Sequence, residues 1–269
     1  MNEPTNRYTH GHHESVLRSH RWRTAENSAA YLLPVLAPGL DLLDVGCGPG
    51  NITIDLASRV SPGRTVGIDA AATVIDAARA SAAEQGVTAV EFRVANVYDL
   101  PFDDGSFDVV HAHQVLQHLA DPVAALRQMR GVCRPGGVVA ARDSDYEAMT
   151  WYPESRGISR WLDMYLEIAR GNEGEPDAGR WLLRWANEAG FSRVTPSASA
   201  WCFATPEDRA WWGGLWADRV TESGLGDQAV DRGLATRSDL AEMAAAWRGW
   251  AADPDGWFAV LHGEIVCRP

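Results

Sequence analysis

Seven residues, Asp44-Val45-Gly46-Cys47-Gly48-Pro49-Gly50, constrain the fold of this chain more than any others. They close a short apolar run at 41–45, which reads as a strand, and precede 51–60, which reads as a helix. Glycine at every second position lets the backbone turn tightly and leaves no Cβ between it and a ligand. The helix behind the turn presents free N–H groups and a positive dipole end. About twenty residues further on, Asp69-Ala70 ends a second strand at 64–69, where a carboxylate can accept both hydroxyls of a ribose. Strand, glycine turn, helix and acid, in that order, point to a nucleoside-bearing ligand rather than to a turn with no other role.

The remaining pattern extends this unit into a sheet. The spacing predicts a helix at 71–85, strands at 90–94 and 107–112, a helix at 122–132 and a strand at 138–142. Such alternation implies an α/β fold, a doubly wound and mostly parallel sheet with helices on both faces. Further on the rhythm loosens. Helices are expected at 155–170, 177–189, 206–222 and 236–251, with strands at 192–203 and 257–266 that could pair antiparallel around a helical insertion. This makes seven strands. Residues 14–37 read as one helix, preceded by a polar arm. The expected organisation is an arm and lid helix at 1–38, a ligand-binding core at 39–146, and a remainder at 147–269 that completes the sheet and carries insertions. Of the 12 tryptophans only Trp22 precedes Trp151, so the last segment is built differently from the core.

Charge narrows the partners. A net charge of −12 repels phosphate backbones and anionic lipid, so neither nucleic acid nor a membrane surface is expected. No stretch of about 18 apolar residues occurs, and the start lacks the apolar core of a secretory signal. Cys47, Cys133, Cys202 and Cys267 are far apart, which suggests neither a disulfide framework nor a zinc knuckle. A cytoplasmic location fits these features. Oligomeric state is left open.

Two nucleoside ligands compete for the glycine loop. Dinucleotide sites favour G-x-G-x-x-G, whose spacing fits a pyrophosphate. Here the loop is G-x-G-x-G after Asp44. S-adenosylmethionine (SAM) has no phosphate. Its amino group suits Asp44, directly or through water, and its carboxylate suits the loop amides. Together with Gly67-Ile68-Asp69, Asp99-Leu100-Pro101-Phe102, Gly105-Ser106-Phe107-Asp108-Val109-Val110 and Arg134-Pro135-Gly136-Gly137, the chain resembles class I SAM-dependent methyltransferases, and within them the ubiquinone and menaquinone biosynthesis C-methyltransferases. The resemblance covers roughly 42–141. It implies that Gly46, Cys47, Gly48 and Gly50 line the methionine part of SAM, that Asp69 and Ala70 meet the ribose, and that Asn96 and Val97 hold the adenine. The family most often has Asp where this chain has Asn96, whose amide oxygen can still accept a hydrogen bond. The resulting expectation is methyl transfer to a small-molecule acceptor, aromatic or apolar. A non-catalytic SAM-binding protein and an NAD-dependent oxidoreductase are the alternatives.

Methyl transfer from a sulfonium is mainly a matter of alignment, with a base needed only where the acceptor loses a proton. His113 follows the fourth strand at the ligand edge and is the candidate for a base or for a contact to cofactor or acceptor. His111 is read as a core histidine turned away from that site, and His118 as a structural residue on the next helix. Asp143 and Asp145 could bind a cationic acceptor, act as a base, or cap a helix. His10, His12, His13 and His20 lack completing ligands, so no metal is expected. The arm is instead expected to close over the ligands, with Arg18, Arg21 and Arg23 available to carboxylates. Trp181 and Trp185, four apart, should pack a helix onto the sheet. Trp211 and Trp212, being adjacent, cannot both face one core, so one is expected to wall the acceptor pocket.

Overall fold

The computed structural model describes residues 22–269. In chain order the first half comprises α1 (Ala25–Ser28), β1 (Leu42–Val45), α2 (Asn51–Val60), β2 (Thr65–Asp69), α3 (Ala72–Glu84), β3 (Val90–Val94), β4 (Phe107–His113), α4 (Pro122–Val132) and β5 (Cys133–Ser144). The second half adds β6 (Thr150–Tyr152), α5 (Arg156–Gly171), α6 (Ala178–Glu188), β7 (Arg193–Phe203), α7 (Pro206–Glu222), α8 (Gly224–Asp231), α9 (Arg237–Ala252) and β8 (Trp257–Arg268). Short 3-10 turns occupy Leu33–Val35 and Leu116–His118.

Strands β3, β2, β1, β4 and β5 lie side by side in that order, all parallel. β8 then runs antiparallel to β5, and β7 pairs antiparallel with β8 along its length as the edge. The seven expected strands are present, and β6 adds a short eighth against the start of β8. The last segment therefore completes the same sheet. The long connection between β7 and β8 carries α7, α8 and α9.

Local chemistry explains the boundaries. α4 begins with Pro122 behind Asp121, whose carboxylate accepts the Ala124 N–H, and α7 repeats the device with Thr205 and Pro206. Around Arg134-Pro135-Gly136-Gly137 the expected turn is a bulge within a longer β5. Phe107 pairs Cys133 and Val109 pairs Val138, so four residues loop out against one. Arg134 there bridges Asp41 at 2.9 Å and Asp108 at 2.5 Å, which ties β1, β4 and β5 together at the edge opposite the glycine loop.

The helix expected over 14–37 is corrected within its described part. Residues 22–37 hold only a four-residue α1 and a 3-10 turn. α1 is set by a capping box between Thr24 and Asn27, and Pro34 removes a backbone donor before a longer helix can form. The arm, its four histidines, Arg18 and Arg21 lie outside the described residues.

Apolar side chains gather in distinct clusters. One, between sheet and α4, contains Leu43, Val45, Val110 and Leu126. Another lies under α5, α7 and α9 and contains Trp161, Trp212, Trp216, Trp247 and Phe258. The face of α6 that meets the sheet is not the tryptophan face. Ala178, Gly179, Leu182 and Ala186 are buried, while Trp181 and Trp185 are half-buried at its flanks, Trp185 packing against the cluster of Leu43, Val45 and Leu126. Gly179 sits against Gly263 so closely that a Cβ on it would lie 2.7 Å from the Gly263 nitrogen, which leaves no room for an indole between helix and strand.

Candidate functional site

The sheet reverses its winding between β1 and β4, and in such sheets ligands bind beyond the carboxyl ends of the strands at that point. A cavity of about 390 Å3 opens there, within the range of small-molecule sites. It is continuous from the glycine loop to the tryptophans of β7 and α7.

At one end Gly46, Gly48 and Gly50 all have positive φ, at 67°, 55° and 85°. A Cβ on Gly46 would run into Val115, and one on Gly50 would lie 2.8 Å from Phe92. Glycine is thus demanded both by conformation and by space. Asp69 Oδ2 accepts the Gly48 N–H at 3.2 Å and Oδ1 accepts the Ala71 N–H at 3.0 Å, which holds the carboxylate at the cavity rim. Asp44 is buried, with Oδ1 2.7 Å from His111 Nδ1 and Oδ2 accepting the Thr53 hydroxyl at 2.5 Å. Ala70, Cys47, Asn96 and Val97 also line the cavity. Asn96 Oδ1 already accepts the Tyr98 N–H at 3.0 Å, so a ligand would use its second lone pair or its NH2 group. Of the residues expected to hold the cofactor, all but Gly50 line this one cavity, while Gly50 supports the turn from behind, against Phe92 and Ala78. The fit to SAM is good in shape and chemistry: a cradle without Cβ atoms, amides for a carboxylate, and two carboxylates for an amino group and a ribose.

His113 stands between the two ends. It is buried, and neither ring nitrogen has a hydrogen-bond partner among the described residues. Its ring lies 5.8 Å from Trp201 and 6.3 Å from His262. Burial, and then the charges of Arg23 and Arg142, push its pKa well below 6.5 and keep the imidazole neutral. His111 is a core residue as expected, but it is not turned away. Strand alternation puts residues 111 and 113 on one face, and the register sets His111 opposite Asp44. His118 lies in the 3-10 turn, not on a long helix. It lines the cavity, and burial with the nearby Arg23 lowers its pKa to about 3.

Asp143 and Asp145 are corrected as acceptor contacts, since neither lines the cavity. Asp143 accepts the Gln117 N–H at 3.1 Å and so pins the 3-10 turn, and burial raises its pKa to about 7. Asp145 holds Arg180 through two 2.6 Å contacts and accepts the Ala148 N–H.

The other end of the cavity is aromatic. Trp22, Tyr146, Trp201, Trp211, Trp212 and Trp216 line it, with Arg23 and Arg219. Trp211 and Trp212 both reach the cavity, because it crosses the start of α7 where neighbours about 100° apart both see it. Trp212 also stacks on Phe203 at 4.2 Å, whereas Trp211 is half-buried and packs on Trp22 at 5.2 Å. Trp201 donates its indole N–H to the Asn27 carbonyl at 2.6 Å, which fastens the start of the described chain to β7.

Sequence reasoning missed Gln114, Gln117, Ser144, Tyr146 and Arg219, all on the cavity wall. Gln114 has φ 53° and connects three elements. Its Oε1 accepts from Arg23 at 2.5 Å, and its Nε2 donates to Ser144 Oγ at 2.6 Å and His262 Nε2 at 3.0 Å. Nothing in a single sequence marks a left-handed glutamine or singles out one arginine of a late helix.

A doubly wound sheet with a glycine cradle, a ribose-ready carboxylate and an enclosed second compartment defines a group-transfer enzyme built around a nucleoside cofactor. A family profile described as a methyltransferase domain matches residues 36–190. An uncharacterized methyltransferase of Schizosaccharomyces pombe is 35% identical, over 100% of this chain and 99% of its own. A probable methyltransferase of Aspergillus luteorubrus is 31% identical, over 97% of both chains. Among solved structures, the YcgJ protein from Bacillus subtilis aligns with a TM-score of 0.56 at 19% identity, covering 90% of this chain and 98% of that one. The [4+2]-cyclase SpnF aligns with a TM-score of 0.54 at 21% identity, covering 93% and 80%. These structural likenesses establish the fold. The chain belongs to the methyltransferase domain family. It is a SAM-dependent methyltransferase that acts on a small molecule, which sets aside the oxidoreductase and non-catalytic readings. No helix of the described residues is long and apolar enough to cross a membrane.

Proposed function

We propose that Asp44, Gly46, Cys47, Gly48, Gly50, Asp69, Ala70, Asn96 and Val97 hold SAM, and that His113 faces its methyl group and the acceptor. When bound, SAM supplies an electrophilic methyl group on a sulfonium. Residues 39–146 serve the donor. Trp22, Arg23 and the cavity wall from 147–269 serve the acceptor, which is aromatic or apolar.

The observation that carries this reading is the single cavity running from the glycine cradle to the tryptophan wall, with His113 where the two parts meet. In that position the neutral imidazole accepts a hydrogen bond from an acceptor O–H or N–H and orients its lone pair. Where the acceptor loses its proton on transfer, His113 is the group placed to receive it. The aromatic walls exclude water from the transfer path. The sequence likeness to a demethylmenaquinone methyltransferase of Lactococcus lactis, 33% identical over 58% of this chain, is compatible with a ring-bearing acceptor.

The test is calorimetry with S-adenosylhomocysteine, followed by methyl transfer to a panel of aromatic and aliphatic metabolites. Micromolar binding that collapses in Asp69→Ala, together with turnover confined to ring-bearing compounds, is expected. Equal turnover on short polar amines would overturn the aromatic assignment.

A further inference from the structure

Gln114 directly follows β4 on the cavity wall. Its φ of 53° is left-handed, a region that a side chain disfavours, and its N–H donates to the Arg142 carbonyl of β5 at 2.7 Å. The direction of its side-chain amide is forced by a chain of partners that begins at Val260. The Val260 carbonyl can only accept, so the His262 nitrogen 3.0 Å from it, Nδ1, carries a hydrogen. His262 is fully buried, and burial with the charges of Arg142 and Arg23 keeps the ring neutral, so its Nε2 is an acceptor. Gln114 must then turn its NH2 group toward His262. That group meets His262 Nε2 at 3.0 Å and Ser144 Oγ at 2.6 Å. The amide oxygen is left facing away from the sheet, where it accepts from Arg23 at 2.5 Å.

Arg23 belongs to a short segment, 22–28, that touches both ends of the cavity. On α2, the helix behind the glycine loop, Asp55 accepts the Ala25 N–H at 3.0 Å and Arg59 pairs with Glu26. At the tryptophan end Trp22 packs on Trp201 and Trp211, and the Asn27 carbonyl accepts the Trp201 indole N–H. Trp22 and Arg23 are themselves part of the cavity wall. The bond from Arg23 to Gln114 carries this segment into the sheet, to β5 through Ser144 and to β8 through His262. Resting on the reading of this cavity as the cofactor and acceptor site, we propose that Gln114 is a positioning residue for methyl transfer: its amide latches residues 22–28 across the cavity, and ligands enter and leave when that bond opens. The left-handed backbone aims the amide between two strands and the segment. A hydrogen bond from a cation to a neutral amide is firm enough to hold the segment and, unlike an ion pair, puts no second buried charge at risk on opening.

The test is the rate at which S-adenosylhomocysteine enters and leaves the full-length protein, followed by stopped-flow tryptophan fluorescence. A residue that only stabilises the fold changes the melting temperature, and one that only grips ligand changes the dissociation rate. A latch changes both rates in the same direction. Gln114→Leu should speed association and dissociation by about fivefold or more, because a charge-assisted bond is lost, while the dissociation constant moves far less than either rate. Gln114→Asn suits the left-handed backbone, is one methylene too short to span the gap, and should do the same; it carries the test if the leucine variant does not fold. Gln114→Glu keeps an oxygen for Arg23 and should exchange ligand no faster than wild type. Its carboxylate should also draw a proton onto His262 Nε2, read by nitrogen NMR of the ring. Arg23 also lies over the Trp201 ring, so Arg23→Met removes more than the latch, yet adding Gln114→Leu to it should bring no further acceleration. Unchanged rates in both Gln114→Leu and Gln114→Asn, a rise in dissociation alone, multiplying effects in the double variant, or fast exchange in Gln114→Glu would each overturn the latch while the donor site stands. If S-adenosylhomocysteine fails to bind wild type, the reading of the whole cavity falls instead.

Discussion

Asp69 and the tryptophan pair make separable predictions at the scale of single residues. Asp69 is held at the cavity rim by two backbone amides, and the proposed site gives it the ribose. Losing charge-assisted bonds costs about 1.5–3 kcal/mol each, so Asp69→Ala should weaken S-adenosylhomocysteine binding by at least about tenfold, read by calorimetry. Trp211 and Trp212 share the cavity but differ in packing. Trp212 is 5% exposed and stacks on Phe203 within the core, so its truncation should cost about 3–5 kcal/mol of stability. Trp211 is half-buried at the cavity edge. Trp211→Ala should lose acceptor affinity while keeping melting temperature and S-adenosylhomocysteine affinity near wild type. Equal thermal destabilisation by both substitutions would show that Trp211 is scaffold.

Among elements, the glycine turn and the start of the chain matter most. The turn between β1 and α2 works because Gly46 takes φ 67° with its α-hydrogen aimed at Val115. Gly46→Ala places a methyl group into that side chain in a left-handed conformation that costs about 1–2 kcal/mol by itself. The outcome expected is a folded protein that no longer retains S-adenosylhomocysteine, checked by far-UV circular dichroism beside calorimetry. An alanine variant that binds normally would mean that the cradle does not approach its ligand there. At the start of the chain, Trp22 packs on Trp201, Phe203 and Trp211, and Arg23 reaches Gln114. The described chain therefore begins against the tryptophan end of the cavity. Removal of residues 1–20 should lower turnover more than it lowers SAM affinity, since closure over a site acts mainly on the transfer step. Unchanged turnover in the shortened protein would sink this assignment.

Taken as a whole, the molecule buries titratable groups that should shape its stability against pH. His113 and His262 are held neutral by burial and nearby cations, with folded pKa values well below 6.5. On acidification the unfolded chain takes up two protons there that the folded chain refuses. Asp143 works in the opposite sense, because its raised folded pKa of about 7 lets the folded state carry one extra proton between roughly pH 4 and 7. At pH 6.5 the half-protonated unfolded histidines nearly cancel Asp143, but two minus one leaves the unfolded chain with the larger uptake at lower pH, so stability should fall toward pH 5 with a slope approaching about 1.4 kcal/mol per unit. His118 adds to the same slope. Thermal melts across that range should show a falling midpoint, and His262→Gln should flatten it. A midpoint that rises on acidification would contradict the buried, neutral histidines.

The parallel core was legible because each of its elements is a local pattern: apolar runs of strand length, helices capped by Asp, Thr or Pro, and a glycine turn whose φ values only glycine adopts freely. The proposed donor-site residues from Asp44 to Val97 follow from that register, since a carboxylate at a strand's end must lie at the sheet's ligand edge. Even the antiparallel pairing of β7 with β8 could be anticipated from two late strands with helices between them. Periodicity did not reveal which helix face is buried where backbones touch, as between Gly179 and Gly263, and so it misplaced Trp181, whereas Trp185 packs on the edge of the sheet's core cluster. Nor could it tell that Pro34 leaves 22–37 as short turns. The tryptophan end of the cavity was least legible of all. Trp22, Gln114, Tyr146, Trp201 and Arg219 come from five separate stretches of chain and share no local spacing. Local sequence determines backbone preference, hydrophobic phase and the cofactor turn, because these depend on neighbours within a few residues. The tryptophan end of the cavity depends on residues up to about two hundred positions apart, and only folding brings those into contact.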